Sequence, residues 1–467
     1  MKTKINSIAF NFALMFTVFG LLPIPGLAGE KAPSKIVLTN CTVIDCTGKE
    51  PIKDVAIVIE GSTIRDIIRG TYGPANAKDV QVLDLENGYV LPGLWNVHMH
   101  LAALLPDPNN LQDTESLPSA VIRAGLNAMD GLRCGFTSIR TVGERGYLDV
   151  AWRDAFDSGY FLGPRIFASG DVISPTGGHR GDIAGGADGP AAVRRAVRTQ
   201  IQNGVDWIKI MEVEMLDDEV AAAVEVAHHN GLRVASHSRE PATWRSVNLG
   251  VDCIEHGYGL KDETIRLMAE KGTFYVPTII CNLSDRYIKE RDERLARLGY
   301  SEDKKVAWGR TLVARADERS QDHAYHQRQA LLEAFEAGVK VCIGSDSTPV
   351  GEIGILEIEQ FVLSGVSEMD ALIAATRNCA DLCGVLDKLG TVEKGKLADL
   401  LIVTENPLEN ISNIRKTKMV LIDGVMVDLN QPQGTASYWD YYVTDNLKRG
   451  YLADAEEAAG FKRGKIK

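Results

Sequence analysis

Gly88-Tyr-Val-Leu-Pro-Gly-Leu-Trp-Asn-Val-His98-Met-His100 reads as an extended segment that closes on two imidazoles. In a strand, residues two apart face the same way, so Leu94, Asn96, His98 and His100 share one side and Trp95, Val97 and Met99 the other. Two ring nitrogens placed together can grip one cation, because imidazole is a common ligand for zinc and similar borderline metals. His-x-His also occurs in ordinary strands, so its meaning depends on what stands at the ends of the other strands.

Working outward, apolar extended runs end near Val142, Gly170, Met211, His237, His256, Ile279 and Asp346, each followed by a helical or loop region. With the run ending at His100, this gives eight strand-helix units. That pattern is expected of a (β/α)8 TIM barrel, in which catalytic groups gather at the carboxyl ends of the strands. A doubly wound α/β sheet is the alternative, weakened by the lack of a Gly-rich phosphate fingerprint after the first strand. From Lys35 to about Glu86 apolar residues alternate, with a turn at Gly61-Ser62, and near the other end Asp423-Gly424 between apolar runs is a hairpin signal. These two β segments are expected to pack as one small discontinuous β-sandwich. The expected organisation is a signal peptide over 1–28, the β-sandwich from 29–92 and 395–436, the barrel over 93–394 and a tail over 437–467.

Lys209 lies in Val205-Asp-Trp-Ile-Lys-Ile-Met211, on one face with Val205, Trp207 and Met211. Lysine is seldom buried without a partner. It either snorkels to solvent or is altered, and a carbamate formed with carbon dioxide would be an anionic head able to bridge two metals. Glu212 and Glu214 are alternative bridges. His237 closes Leu232-Arg-Val-Ala-Ser-His, His256 closes Val251-Asp-Cys-Ile-Glu-His, and Asp346 ends Val341-Cys-Ile-Gly-Ser-Asp. Singly, each has an ordinary reading as a core histidine or a helix cap. Together, six potential ligands at strand ends are an improbable coincidence.

In this order and on successive strands, His98, His100, Lys209, His237, His256 and Asp346 resemble the metal site of the amidohydrolase superfamily. Residues 88–93 resemble its entry motif, and Leu389-Gly-Thr-Val-Glu-Lys-Gly-Lys-Leu-Ala-Asp399 its return into the β domain. The resemblance implies that His98, His100 and Asp346 hold one divalent ion and His237 and His256 another, zinc in both cases, bridged by hydroxide and by carboxylated Lys209. Two divalent ions against carbamate, Asp346 and hydroxide leave a net charge of about +1, suited to polarising a carbonyl. Asp346 would take the hydroxide proton and pass it to the leaving nitrogen. Thr176-Gly-Gly-His179 resembles a substrate loop of the exported Xaa-Pro dipeptidase, zinc carboxypeptidase and imidazolonepropionase-like branches. By that likeness His179 would meet the scissile carbonyl or a substrate carboxylate, with Arg180 and Tyr258 nearby. Ser236-His237-Ser238-Arg239 departs from the small apolar residues usual there, which bears on the specificity pocket. The implied reaction is hydrolysis of the C–N bond of a dipeptide or N-acyl amino acid with a free carboxylate. Cyclic-amide hydrolysis or deamination is the alternative; a non-catalytic scaffold is a third reading, against which the complete ligand set argues.

Composition is compatible with this. The chain has 467 residues, 45% apolar and 24% charged, and a formal charge of −12, which argues against nucleic acid and for a small-molecule partner. Lys2 and Lys4 precede an apolar run over residues 8–22, followed by Pro23, Pro25 and Gly26-Leu27-Ala28, which reads as a secretory signal cut after Ala28. A periplasmic or secreted protein is expected, with no membrane contact beyond the signal; an uncleaved anchor is the alternative. The eight cysteines show no CxxC pattern, although Cys41 and Cys46 could bridge in an oxidising compartment. Loops over residues 106–117 and 174–189 are expected to overhang the site. Residues 285–329 read as a charged helical hairpin, with a lid or a subunit contact in a homo-oligomer as the other reading. The tail carries Tyr438, Trp439, Tyr441 and Tyr442, to which no function attaches.

Overall fold

The computed structural model describes residues 35–70, 72, 79–103, 115–179, 185–282, 318–346 and 348–430. The expected signal peptide, Arg180, the tail from 437, residues 106–114 and 181–184 of the two overhanging loops and residues 285–317 of the charged hairpin lie outside them.

β1 (Lys35–Val43), β2 (Ile52–Glu60), β3 (Thr63–Arg69) and β4 (Val80–Pro92) join β12 (Leu400–Val403), β13 (Thr417–Ile422) and β14 (Val425–Met426) in one seven-stranded sheet. The two ends of the chain meet where β4 pairs antiparallel with β12, Val90 opposite Ile402. Among the described residues this flank is one continuous hydrogen-bonded sheet, in which β1 is paired on both sides and runs parallel to β4. A bulge, with Glu86 and Asn87 at φ 56° and 65°, bends it. Leu38, Val43, Ile57, Ile59, Val90, Leu400 and Ile402 cluster as the core of this flank, while Val37, Ala56 and Val58 cluster separately. The Asp423-Gly424 hairpin forms as expected, with φ of 50° and 72°; a Cβ on Gly424 would lie 2.2 Å from the Gly61 carbonyl. Cys41 and Cys46 are both buried and free; Cys41 Sγ donates to the Val55 carbonyl and Cys46 Sγ to that of Ile44.

The middle of the chain alternates strand and helix. β5 (Leu94–Met99), β6 (Phe136–Thr141) and β7 (Arg165–Phe167) form a three-stranded parallel sheet. β8 (Trp207–Ile210), β9 (Arg233–Arg239), β10 (Cys253–Tyr258) and β11 (Phe274–Val276) form a four-stranded one. Helices α1 (Leu117–Arg133), α2 (Leu148–Asp157), α3 (Gly189–Gln202), α4 (Asp217–His229), α5 (Ala242–Asn248), α6 (Asp262–Lys271), α7 (Glu318–Glu336) and α8 (Val350–Ser364) fall between or after them. Both seams between the two sheets carry backbone hydrogen bonds. At one, Asp206 N–H donates to the Ala168 carbonyl at 2.7 Å and Ile173 bridges Ile210. At the other, Cys342 N–H donates to Tyr275 at 2.8 Å, Val97 N–H to Ile343 at 2.9 Å and Asp346 N–H to His98 at 2.9 Å.

Seven of the eight expected strands therefore form, and the eighth, residues 341–346, makes a single bridge at Val341. The segment is tightly enclosed. A Cβ on Gly344 would lie 2.5 Å from His98 Cβ and 2.3 Å from Val276 Cγ1, so the chain threads between β5 and β11 with no room for a side chain there. Beneath the strand ends, Trp95, Val97, Trp207, Ala235, Cys253, Phe274, Val276 and Cys342 pack as one buried cluster. Gly344→Ala should therefore cost about 1–3 kcal/mol by overpacking and push His98 aside. The checks are thermal unfolding and divalent-metal retention, both lower than in the parent.

Candidate metal centre

His98 ends within β5, and His100 follows that strand by one residue; both reach Asp346. His98 Nε2 lies 3.6 Å, and His100 Nε2 3.3 Å, from Asp346 Oδ1. The His256 ring is 4.7 Å from that of His98 and 4.5 Å from that of His237, centre to centre. Two trios bring their ligand atoms within 4.8 Å of one another: His98, His100 and Asp346, and His256, Cys281 and Asp346. Asp346 belongs to both.

The outer ring nitrogens decide which way the lone pairs point. His98 Nδ1 lies 2.6 Å from Glu255 Oε2, and His100 Nδ1 2.7 Å from the Gly143 carbonyl, both groups that accept only. His256 Nδ1 is 2.6 Å from Thr278 Oγ1, whose own proton goes to the Pro277 carbonyl at 2.7 Å. All three rings thus carry their proton on Nδ1 and present a bare Nε2. A cation must sit among those lone pairs and the carboxylate. A proton is a poor candidate. Burial, then the Lys209 charge, lowers the His98 pKa to about 4, and burial with the neighbouring imidazoles holds His256 well below the usual range. Burial raises the Asp346 carboxyl, but the adjoining His100, His98 and His256 imidazoles override it, so it is held well below the ordinary range and stays ionised. This donor set fits a divalent metal.

Lys209 sits on β8, 2% exposed, and its Nζ has no hydrogen-bond partner among the described residues. Burial lowers its pKa to about 8. Beside it runs a buried ion pair: Arg140 Nη2 donates to Glu255 Oε1 at 2.5 Å while Arg140 Nε donates to the Val97 carbonyl at 2.6 Å. Both side chains are wholly buried. Sequence reading passed over both, although a charge inside an otherwise apolar strand was the available signal.

Three residues here take left-handed backbone without being glycine: His256 at φ 65°, Thr278 at 52° and Asp346 at 47°. Such conformations cost about 1–3 kcal/mol each and persist only where the surroundings impose them. Tyr275 Oη and Gln327 Nε2 both donate to the His256 carbonyl, at 3.1 and 3.2 Å. Glu357, on α8, accepts the Ile279 and Ile280 amides at 2.9 and 2.7 Å and so pins the turn that carries Thr278.

His179 is exposed, and its ring lies 5.5 Å from that of His237. Asp188 anchors its loop by accepting from Thr176 N and Oγ1 at 2.9 and 2.7 Å. Tyr258 lies flat against His256, 5.2 Å away and 2° from parallel, and stacks on His323 at 4.5 Å. The Arg239 guanidinium lies 5.5 Å from the Tyr258 ring centre, and Asn282 Nδ2 donates to Tyr258 Oη at 3.2 Å. Arg239, Asn282, His323 and Cys281 are neighbours that sequence reading did not assign. His323 follows a long stretch of charged sequence that offered no positional cue. Glu212, weighed as a bridge, is committed elsewhere: it accepts from Ser236 Oγ at 2.6 Å, Ser238 Oγ at 3.1 Å and Arg239 N at 3.2 Å. That explains the two serines flanking His237. Glu214 is exposed.

A model of the amidohydrolase family matches residues 89–427. The chain belongs to the amidohydrolase family. It is thus a hydrolase acting on carbon–nitrogen bonds, of a family that is generally metal-dependent and whose members imply a TIM-type barrel with a β-rich flank. It is 28% identical to an ochratoxinase of Aspergillus niger over 420 residues, spanning 79% of this chain and 82% of that protein. It superposes on a Xaa-Pro dipeptidase with bound methionine at a TM-score of 0.71 and 31% identity, over 85% of this chain and 100% of that one. A prolidase complexed with N-methylphosphonate-L-proline gives 0.69 and 28%, over 84% and 99%.

Two outcomes follow for this amidohydrolase. Glu255→Gln should weaken divalent-metal affinity about 10–100-fold, read by chelator competition, and leave Arg140 buried without its counter-charge at a cost of about 3–5 kcal/mol. Unchanged affinity would remove Glu255 from any role in setting His98. Glu357 gives a pH dependence: burial raises its carboxyl from 4.5 to about 8. The folded state then holds a proton that the unfolded chain has lost, so its stability falls as pH rises from 4.5 through about 8. Melting midpoints from about pH 5 to pH 9 should fall less in Glu357→Gln than in the parent.

Proposed function

We propose that this amidohydrolase cleaves the amide bond of a dipeptide or N-acyl amino acid bearing a free carboxylate. The observation that carries the reading is the convergence of three bare Nε2 atoms on Asp346 beside a buried, unpartnered Lys209. His98, His100 and Asp346 would hold one divalent ion and His237 and His256 a second, with zinc as the metal. Residues 341–346 are read as the eighth strand of a (β/α)8 barrel over 93–394, flanked by a β domain from 29–92 and 395–436. Export with a cut after Ala28 belongs to the same reading.

Lys209 has the chemistry for the bridge. With a pKa near 8 an appreciable fraction of its amine is neutral at physiological pH, the form that adds to carbon dioxide. The neutral amine's Nζ–C bond forms, one proton leaves to solvent, and a carbamate anion results in place of an amine that has no hydrogen-bond partner among the described residues. The ions would supply Lewis acidity and lower the pKa of a water in the site from 15.7 to about 7. Asp346, kept ionised by its imidazole neighbours, accepts the proton of the attacking water and returns it to the leaving nitrogen. His179 donates to the substrate carbonyl or carboxylate from its loop beside His237, and Arg180 belongs to the same loop. Tyr258, with the Arg239 guanidinium over it, forms a wall that suits an anionic substrate end. The names of the dipeptidase and prolidase relatives support the same substrate class.

The test is a panel of dipeptides, N-acyl amino acids, their carboxamides and lactams, with metal-reconstituted protein. Free carboxylates should be preferred over carboxamides. Lys209→Ala should lose at least about 100-fold in kcat/KM, beyond what loss of a supporting partner costs, and recover part of it with an added short carboxylic acid. Full activity of Lys209→Ala without bound divalent ions would defeat the reading.

A further inference from the structure

The trio of His256, Cys281 and Asp346 holds a donor outside the six residues assigned to the metals. We propose that Cys281 is a further ligand of this centre, a thiolate on the ion held by His256. The inference rests on the metal-centre reading above and extends it by one donor.

Cys281 lies in the turn after β11, 5% exposed, with its Sγ within 4.8 Å of the ligand atoms of both His256 and Asp346. Zinc–sulfur and zinc–nitrogen bonds of about 2.3 and 2.0 Å bring such atoms together around one ion with small adjustments. The turn is built to hold the sulfur there. Thr278, three residues earlier, is fixed by His256 Nδ1 through its hydroxyl, and Glu357 clamps the two intervening amides at Ile279 and Ile280. Cys281 Sγ donates to Thr278 Oγ1 at 3.8 Å and accepts from Asn282 Nδ2 at 3.1 Å; the second contact favours negative charge on sulfur once the thiol proton is lost. Thus the segment that orients His256 by its outer nitrogen also carries the thiol.

On binding, the S–H bond breaks, the S–metal bond forms from the sulfur lone pair, and the proton leaves to solvent; no oxidant or reductant enters. The consequence is selectivity. A soft thiolate favours zinc, cadmium or cobalt over magnesium or manganese, which prefer oxygen. It also adds a negative charge and so tempers the Lewis acidity of that ion. The remaining cysteines stand in none of the donor groups found among the described residues.

Cobalt(II) is the probe. Metal-stripped full-length protein is titrated with cobalt, bound metal is counted after desalting, and the near-ultraviolet spectrum is read for sulfur-to-cobalt charge transfer. The expected result is a charge-transfer band in the parent that is lost in Cys281→Ser while cobalt is still retained; Cys281→Ala serves if the serine variant does not fold. Cobalt bound to the parent without the band overturns this inference and leaves the metal-centre reading standing. A band that survives in the variant assigns it to another thiol and also overturns it. Failure of the parent to retain cobalt overturns both.

Discussion

Glu255 is the charge on which the centre leans. A carboxylate with no solvent exposure loses several kcal/mol of hydration, and here two contacts offset that loss. Arg140 Nη2 and His98 Nδ1 each take one of its oxygens, and the Arg140 guanidinium itself lies 4.6 Å from the centre of the Trp207 ring. Burial alone raises the Glu255 carboxyl, but Arg140 and His98 outweigh it and leave it far below the ordinary range. The same pair couples strands. Arg140 belongs to β6 and bonds the Val97 carbonyl of β5, while Glu255 belongs to β10 and adjoins His256 in sequence. One buried ion pair therefore sets the tautomer of one ligand and the strand position of another.

What the ion pair does for His98, a set of neutral clamps does for His256 and Asp346. Left-handed backbone at a β-branched residue such as Thr278 is a true outlier. Its turn stays in place because Glu357 satisfies two amides that would otherwise be orphaned. The clamps come from elements beyond the strand ends: Gln327 from α7, Tyr275 from β11 and Glu357 from α8. Metal geometry here depends on the helix layer as well as on the strands. Strain at the ligands is tolerable only because the core around it is close-packed.

The candidate donors stood out in the sequence because most of them close an apolar run, and an ionisable group there has few structural uses. The discontinuous flank was legible from alternation and from Asp423-Gly424, whose turn type admits few other residues. Other features were hidden for physical reasons. Period-two reasoning cannot see that β5 is buried on every residue or that its pairing with β6 skips between Asn96 and Met99. Nor can it see the close approach of Gly344 to His98, residues far apart in the chain. Glu212 looked like a bridge because it follows Lys209 closely, yet its oxygens serve the serines around His237. A position near a site in sequence says nothing about where a carboxylate turns.

Tyr258 joins the candidate metal donors to the turn beside them. Its ring lies parallel to His256 on one side and against His323 on the other, and its hydroxyl is held by Asn282, the residue after Cys281. The ring's position is thus tied to the His256 imidazole and to the turn that orients it, so a change of bulk at Tyr258 bears directly on His256. By contrast, His179 stands on an exposed loop tied down by Asp188. The two candidate substrate contacts are therefore held differently: one on a surface loop, the other by stacking on a candidate metal donor.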